Sequence, residues 1–415
     1  MTDAVSKRQR TLWIVSGGAE AVPGIERAKA LGLRVVVSDG SAQAPGLALA
    51  DHAVVASTYD AAATLAAALD YRTRIGPIDG VICIAADVPL TVATVAAGLG
   101  LPGIPLTAAQ LAMDKLAMKQ CFVAAGIPVP WFAPVASAAA LRAIVAARGP
   151  TLVIKPVDSR GARGVLRLQA DTDLDWAFAH AQSVSPTARV MVEEYLAGPQ
   201  ISTEALLLDG VGYTVGFADR NYEYLDRFAP FIIENGGEQP SALAAGARAA
   251  ISELALRAGR ALGIDSGVVK GDMVLSAGGP KVIEIAARLS GGWFSTEQIP
   301  LASGVDLIGA AIGVALGERP PAASLQAQWG PGVAIRYFFP PPGRVVAIDG
   351  AEAARALPWV RRLGFFVQPG ERLAAVTDHT RRAGFVITTG ADRAEAVARA
   401  REIVEQRVCI RTEPA

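Results

Sequence analysis

Apolar and polar positions change rhythm several times along the chain, and each change marks an element. In the first hundred residues, short apolar runs alternate with helical spacing. Leu12 to Val15 is such a run, ending at Ser16-Gly17-Gly18. A helix pattern follows from about Pro23 to Leu31, with Pro23 suited to a first helical turn. Leu33 to Val37 reads as a second strand ending at Ser38-Asp39-Gly40, and Ala53 to Ala56 as a third. Asp60 to Leu69 has helical spacing, Gly80 to Ile84 reads as a strand, and Leu90 to Leu99 as a helix. Strands that alternate with helices predict a parallel sheet covered on both faces.

The rhythm differs beyond Pro105. Thr107 to Ala125 predicts one helix carrying Asp114, Lys115 and Lys119, ended by Gly126 and Pro128. Thr151 to Lys155 is a strand followed by a glycine-rich loop, Ser159 to Gly164, and Val190 to Glu194 is another strand. Gly271 to Leu275 and Lys281 to Ile285 flank the turn Ser276-Ala277-Gly278-Gly279-Pro280, a hairpin signal. Pro320-Pro321 and the stretch Gln326 to Gly332 suggest a boundary. After it come strands near Val333 to Phe339 and Phe385 to Thr388, and a helix pattern from Asp392 to Gln406.

Composition narrows the function classes. A chain of 415 residues holds roughly two to four folding units and can bury a large core. Lysine plus arginine number 39, as do aspartate plus glutamate, so no general field draws nucleic acid or an anionic membrane. Neither partner is expected. The segment Met1 to Arg10 is polar and lacks the apolar core of a signal peptide. Asp87 and Pro89 interrupt the most apolar window, Val81 to Leu101, which reads as a buried strand and helix rather than a membrane span. Cys83, Cys121 and Cys409 lie too far apart for a metal knuckle or redox pair, and a cytoplasmic location is expected. The Gly17-Gly18 turn with Asp39 invites a dinucleotide reading, but the G-x-G-x-x-G spacing is missing. A tight turn that needs glycine is the simpler account. His52, His180 and His379 show no ligand spacing and read as structural.

Four features carry candidate chemistry. Lys155 ends an apolar strand just before Ser159-Arg160-Gly161-Ala162-Arg163-Gly164, where backbone N–H groups and a point charge can meet a phosphate. Glu193-Glu194-Tyr195-Leu196 sets acids beside an apolar step, suited to a base edge. Asp272 and Glu284 sit on the two hairpin strands, and two carboxylates with nucleotide phosphates make an oxygen cage for magnesium. Arg288 precedes Ser290-Gly291-Gly292, a guanidinium fork with backbone donors for an anion, and Lys270 shares the strand of Asp272. Taken singly, each has a plainer reading: a basic surface loop, a solvated strand end, surface acids, a salt bridge. The polar and aromatic stretch Asp219 to Ser241 reads either as a specificity segment or as a long exposed loop.

In their order along the chain these features resemble the ATP-grasp superfamily. The resemblance implies an α/β architecture. A doubly wound parallel-sheet domain over 1–104 precedes an ATP-grasp domain over 105–325, with a mobile lid over about 120–192. A small α+β domain like that of biotin carboxylase follows over 326–415. It also implies ATP and Mg2+, or Mn2+, as cofactors. Lys115, Lys155, Ser159, Gly161, Gly164, Glu193, Glu194, Leu196 and Gln200 would bind nucleotide, Asp272 and Glu284 the metal, and Arg288 and Lys270 would be catalytic. The implied activity is a carboxylate–amine ligase, amino-acid or dipeptide forming, that passes through an acyl phosphate and releases ADP. Small-molecule carboxylates and amines would be the partners, and a homodimer is a further expectation. Two positions depart from the pattern: Gln200 stands where many members have glutamate, and Ala286 where many have asparagine. The alternatives are a bicarbonate-activating carboxylase and a non-catalytic nucleotide-binding protein. Against the carboxylase, Arg336 falls where those enzymes have an acid, and no biotin-carrier segment is present.

Overall fold

The computed structural model describes residues 8–414, so the first seven residues of the polar Met1–Arg10 segment lie outside the described residues. The first unit is a parallel sheet of β1 (Thr11–Val15), β2 (Arg34–Asp39), β3 (His52–Val55) and β4 (Gly80–Cys83), ordered β3-β2-β1-β4. Every residue of β1 and β4 is buried, because helices cover both faces. Asp39 accepts from Gly17 N at 2.8 Å and Ser41 N at 2.9 Å, so its carboxylate holds the turn together. One core joins this unit to the next: Leu12, Ile14, Ile25 and Ile84 pack with Leu206, Leu289, Phe294 and Ile312.

The predicted helix over Thr107–Ala125 is two helices, Leu106–Met113 and Lys115–Ala124. Asp114 breaks it. Its backbone is extended, and its carboxylate caps Leu116 N and Ala117 N at 3.0 and 2.9 Å. The break re-aims the second helix so that Lys115 and Lys119 face inward.

A small antiparallel sheet follows, made of β5 (Phe132–Val135), β6 (Leu152–Pro156), β7 (Leu166–Arg167) and β8 (Val190–Glu194), ordered β5-β8-β6-β7. Helices Ala138–Arg148 and Leu174–Ser183 cover one face and close a separate core of Leu141, Leu152, Ile154, Leu166 and Val192. Each such buried side chain contributes about 1.5–3 kcal/mol, which lets the sheet hold its shape as a lid.

The large sheet holds β9 (Gln200–Leu208), β10 (Val211–Asn221), β11 (Gly236–Gln239), β12 (Gly267–Ser276) and β13 (Gly279–Ala286). The last hundred residues add β14 (Gly332–Phe338), β15 (Gly343–Asp349), β16 (Val360–Phe365), β17 (Arg372–Leu373), β18 (Gly384–Gly390) and β19 (Cys409–Glu413). Eight strands form one sheet ordered β13-β12-β9-β10-β11-β14-β18-β16, and β17-β15-β19 form a small one. Pairing of β11 with β14 therefore carries the large sheet across position 326. The stretch Asp219–Ser241 contains β11, and most of it is half-buried or buried rather than a long exposed loop. No helix among the described residues is long and apolar enough to cross a membrane.

Glu238 on β11 fastens the C-terminal unit to this sheet. Its carboxylate binds Arg336 of β14 and Arg393 of helix Arg393–Glu402, the latter with an Nε contact of 3.0 Å. Burial alone would raise the Glu238 carboxyl, but the bonds from Arg393 and Arg336 hold it down at about 2. A carboxyl depressed in the folded state stabilises above its unfolded value and loses that contribution as pH falls toward 2. Stability should thus decline between about pH 4.5 and 2. Chemical denaturation of Glu238→Gln across that range should show a shallower decline; an unchanged slope would remove Glu238 as a determinant.

Candidate active site

A cavity of about 540 Å³ lies between the lid sheet and the large sheet, and it is lined by residues from all three units. On the lid side, β6 carries Lys155 and β8 carries Glu193, each one residue before the end of its strand. These strands are paired, Val153 opposite Glu193, which sets the lysine and the carboxylate on neighbouring backbones. Lys155 Nζ is 2.5 Å from Glu193 Oε1, and Lys119 Nζ is 2.9 Å from Glu193 Oε2. All three groups are buried. Burial works against the Glu193 charge, but Lys119 and Lys155 hold its carboxyl below the usual range. Burial pushes Lys119 down to about 8, against the pull of Glu193. Glu193 is thus not free for a base edge, because two lysines hold its carboxylate. That leaves Glu194, Tyr195 and Leu196 to line the cavity where a base would lie.

Gly198 has φ +133°, and a Cβ there would meet Leu275 O at 2.2 Å. The chain turns there because glycine alone allows the approach. The next residues, Pro199 and Gln200, also line the cavity.

The loop Ser159–Gly164 lines the cavity through Ser159, Arg160, Gly161 and Ala162. Gly161, Ala162 and Gly164 have φ of +64°, +60° and +72°, so the loop curls tightly. Ser159 O accepts from Lys115 Nζ at 2.8 Å, and Lys115 also lies 3.2 Å from Glu284. Burial opposes the Lys115 charge, yet Glu284 and Asp87 raise its pKa.

On the opposite wall, Asp272 of β12 and Glu284 of β13 are direct register partners. Asp272 pairs with Lys270 on its own strand and with Arg220 of β10 at 2.8 Å. Burial disfavours the Asp272 charge, but Arg220 and Lys270 hold its carboxyl far below the usual range. The two carboxylates thus present their oxygens at one place on the wall. Such a set fits Mg2+, which needs one or two carboxylates beside phosphate oxygens and water. Ala286 faces the same cavity and offers no side-chain oxygen.

Arg288 reaches Asp87 of the first unit at 3.3 Å, an approach fixed by a parallel bridge between Ile84 and Leu289. Burial opposes the Arg288 charge, but Asp87 foremost, with Cys83, Glu284 and Glu204, raises its pKa. Two of the Ser290-Gly291-Gly292 amides are not the free donors that the sequence suggests. Ser290 N donates to Glu204 at 3.0 Å and Gly292 N to Glu20 at 2.7 Å. Burial raises the pKa of both carboxyls.

The structure thus gathers Lys115, Lys155, Ser159, Gly161, Glu193, Glu194, Leu196, Gln200, Lys270, Asp272, Glu284 and Arg288 around one cavity. Gly164 closes the loop beside it, with Pro156 and Val184 filling the space a Cβ would need. Arg220, Tyr222 and Glu234, from the stretch read as a specificity segment or an exposed loop, also line the cavity, whereas Asp87, Tyr337, His379 and Arg382 escaped sequence reasoning. Lys119 gave a signal, since a lysine four residues after Lys115 on an apolar helix face must find a buried partner. The others come from distant segments that no local spacing connects.

A small sheet carrying Lys155, with Lys115 and Lys119 on the helix before it, faces a larger sheet with two carboxylates, and this arrangement fits a grasp-type nucleotide site. Residues 112–292 match the ATP-grasp domain family, residues 25–103 the ATP-grasp N-terminal domain, and residues 336–413 the L-amino acid ligase C-terminal domain 2. The chain belongs to the ATP-grasp superfamily. It is similar to a D-alanine–D-alanine ligase of Gloeobacter violaceus, 34% identical over 199 residues, covering 45% of this chain and 63% of that protein. An uncharacterized protein of Sinorhizobium fredii is 28% identical over 325 residues, covering 77% of this chain and 65% of that one. The chain thus spans slightly less than two thirds of these curated relatives. The L-amino acid ligase of Bacillus licheniformis shares the fold, with a TM-score of 0.83 at 23% identity over 98% of this chain and all of that one. The biotin carboxylase of Campylobacter jejuni shares it at a TM-score of 0.72 and 20% identity, over 97% of this chain and 92% of that one.

Proposed function

We propose that the protein is an ATP-dependent ligase. It activates the carboxylate of one amino acid as an acyl phosphate and couples it to the amine of another, releasing ADP and phosphate. One observation carries this reading: phosphate-binding lysines, paired carboxylates and a line of guanidinium groups share a single cavity. Phosphoryl transfer to a carboxylate builds negative charge, and positioned cations offset it. Lys115 and Lys155 take the nucleotide phosphates, and the Ser159–Gly164 loop covers them. Asp272 and Glu284 hold the magnesium, which when bound neutralises phosphate charge. Arg288 and Lys270 orient the acceptor carboxylate and then the acyl phosphate. The acyl phosphate is reactive enough for amine attack, so no nucleophilic serine or cysteine is needed. The D-alanine–D-alanine ligases among the relatives and the L-amino acid ligase C-terminal match support amino acids as substrates. A cytoplasmic setting accords with three cysteines that form no disulfide.

Phosphate release from ATP should require amino acids, with ADP as the nucleotide product. Oxygen-18 in the donor carboxylate should appear in the phosphate. AMP with pyrophosphate, or no label transfer, would exclude the mechanism. Turnover with bicarbonate instead of amino acids would favour a carboxylase, and no turnover with either a binding protein.

A further inference from the structure

The phosphate loop is held by residues from all three units. Besides Lys115, the first unit contributes Tyr59 and Asp87. The Arg160 guanidinium lies 4.1 Å from the centre of the Tyr59 ring and donates to Asp87 O at 3.4 Å. The C-terminal unit contributes the segment between β17 and β18. There His379 N donates to Gly161 O at 3.0 Å, and Thr380 Cγ2 lies 3.6 Å from where a Gly161 Cβ would stand. Asp378 fixes this segment by accepting from Thr380 N at 2.9 Å.

The same histidine reaches the other way. Its Nε2 accepts from Glu234 N at 3.3 Å. The Glu234 carboxylate binds Arg220 at 2.5 Å, and Arg220 binds Asp272 at 2.8 Å. Arg382 donates to Glu234 O at 2.5 Å and stacks on Tyr337. Burial, with Arg382 and Arg220 close by, keeps the imidazole neutral and hence able to accept. A continuous line therefore runs from a metal-site carboxylate through Arg220, Glu234 and His379 to the carbonyl of Gly161.

We propose that His379 is a positioning residue that latches the phosphate loop closed over bound nucleotide, through Glu234 on one side and Gly161 on the other. The inference rests on the nucleotide site described above. The loop excludes water from the reacting end, so the latch also limits hydrolysis of the acyl phosphate. It ties loop closure to the order of the Arg220–Glu234 wall, where the amino acids would bind.

Hydrogen exchange on the full chain tests it, with magnesium and a non-hydrolysable ATP analogue as the probe. In the wild type, the analogue should protect residues 159–164. His379→Ala keeps the backbone N–H to Gly161 O but removes the bond from Glu234 N that positions it, and should lower that protection about five- to tenfold, the size of one lost hydrogen bond. His379→Gln, whose carbonyl can accept from Glu234 N, should recover part of it. In turnover, His379→Ala should raise the KM for ATP and the fraction of ATP hydrolysed without ligation. Should His379→Ala fail to fold, Asp378→Ala releases the same segment without touching the imidazole and should show the same loss. Full protection in the folded variant overturns the latch. Absence of any analogue-dependent protection or binding heat in the wild type overturns the nucleotide reading beneath it.

Discussion

Arg288→Lys should lower kcat about 10²–10³-fold while the affinity for ATP changes little. Arg288 comes from the β13 side of the cavity and is steadied by Asp87 of the first unit. A lysine keeps the positive charge, so Asp87 is not left buried and unpaired and the fold survives. It loses the planar fork that holds two oxygens of a carboxylate or acyl phosphate at once. In the proposed reading the nucleotide phosphates are held by Lys115, Lys155 and the loop, all of which this change leaves in place. Steady-state kinetics together with calorimetric titration of ATP separates the two effects. A fall in ATP affinity as large as the fall in kcat would move Arg288 into the nucleotide site and out of the reacting one.

The second large effect belongs to the wall that carries Asp272 and Glu284. Asp272→Asn and Glu284→Gln should each lower kcat at least about 10²-fold at ordinary magnesium, with part of the loss recovered at high magnesium. The amides keep size and some hydrogen bonding but remove charge. In the Asp272→Asn variant the amide oxygen would still accept from Arg220 and Lys270, so the wall should stay folded. Asp272 and Glu284 face each other in register, which makes their losses non-additive if they share one ion. Activity against magnesium concentration for both single variants and the double variant decides it. Full activity with an unshifted magnesium dependence in both would remove the pair from metal binding.

Much of this is legible in the sequence because local chemistry and burial agree. β1, β2 and β4 are apolar runs, as buried parallel strands must be, and Asp272 and Glu284 sit in a hairpin whose turn announces itself. The break at Asp114 is readable in principle, since an aspartate before Lys-Leu-Ala is an N-cap signal inside an otherwise helical pattern. β11 is not readable. Gly236-Gly237-Glu238-Gln239 has little β-propensity and is a strand because β10 and β14 supply partners on both sides. Gly236 must be glycine there, since a Cβ would meet Ile335 O at 2.2 Å. The role of the Ser290–Gly292 amides is also beyond local reading. Glu20 and Glu204, which take two of them, lie far away in sequence. His379 reads as structural because a lone histidine without ligand spacing carries no local signal, and its neighbours come from three distant segments.

The seam between β11 and β14 has a consequence for anyone who would take the molecule apart. A chain cut near residue 330 would keep most of its cavity wall but leave β11 as a bare edge, four residues long, with its outer N–H and C=O groups unpaired. Glu238 would lose Arg336 and Arg393 together, and the cavity would lose Tyr337, His379 and Arg382. The C-terminal unit is in this sense a staple rather than an appendage. Shortened forms should be sticky and prone to pair with one another, and exchange of this unit between relatives would have to carry β11 and its register along with it.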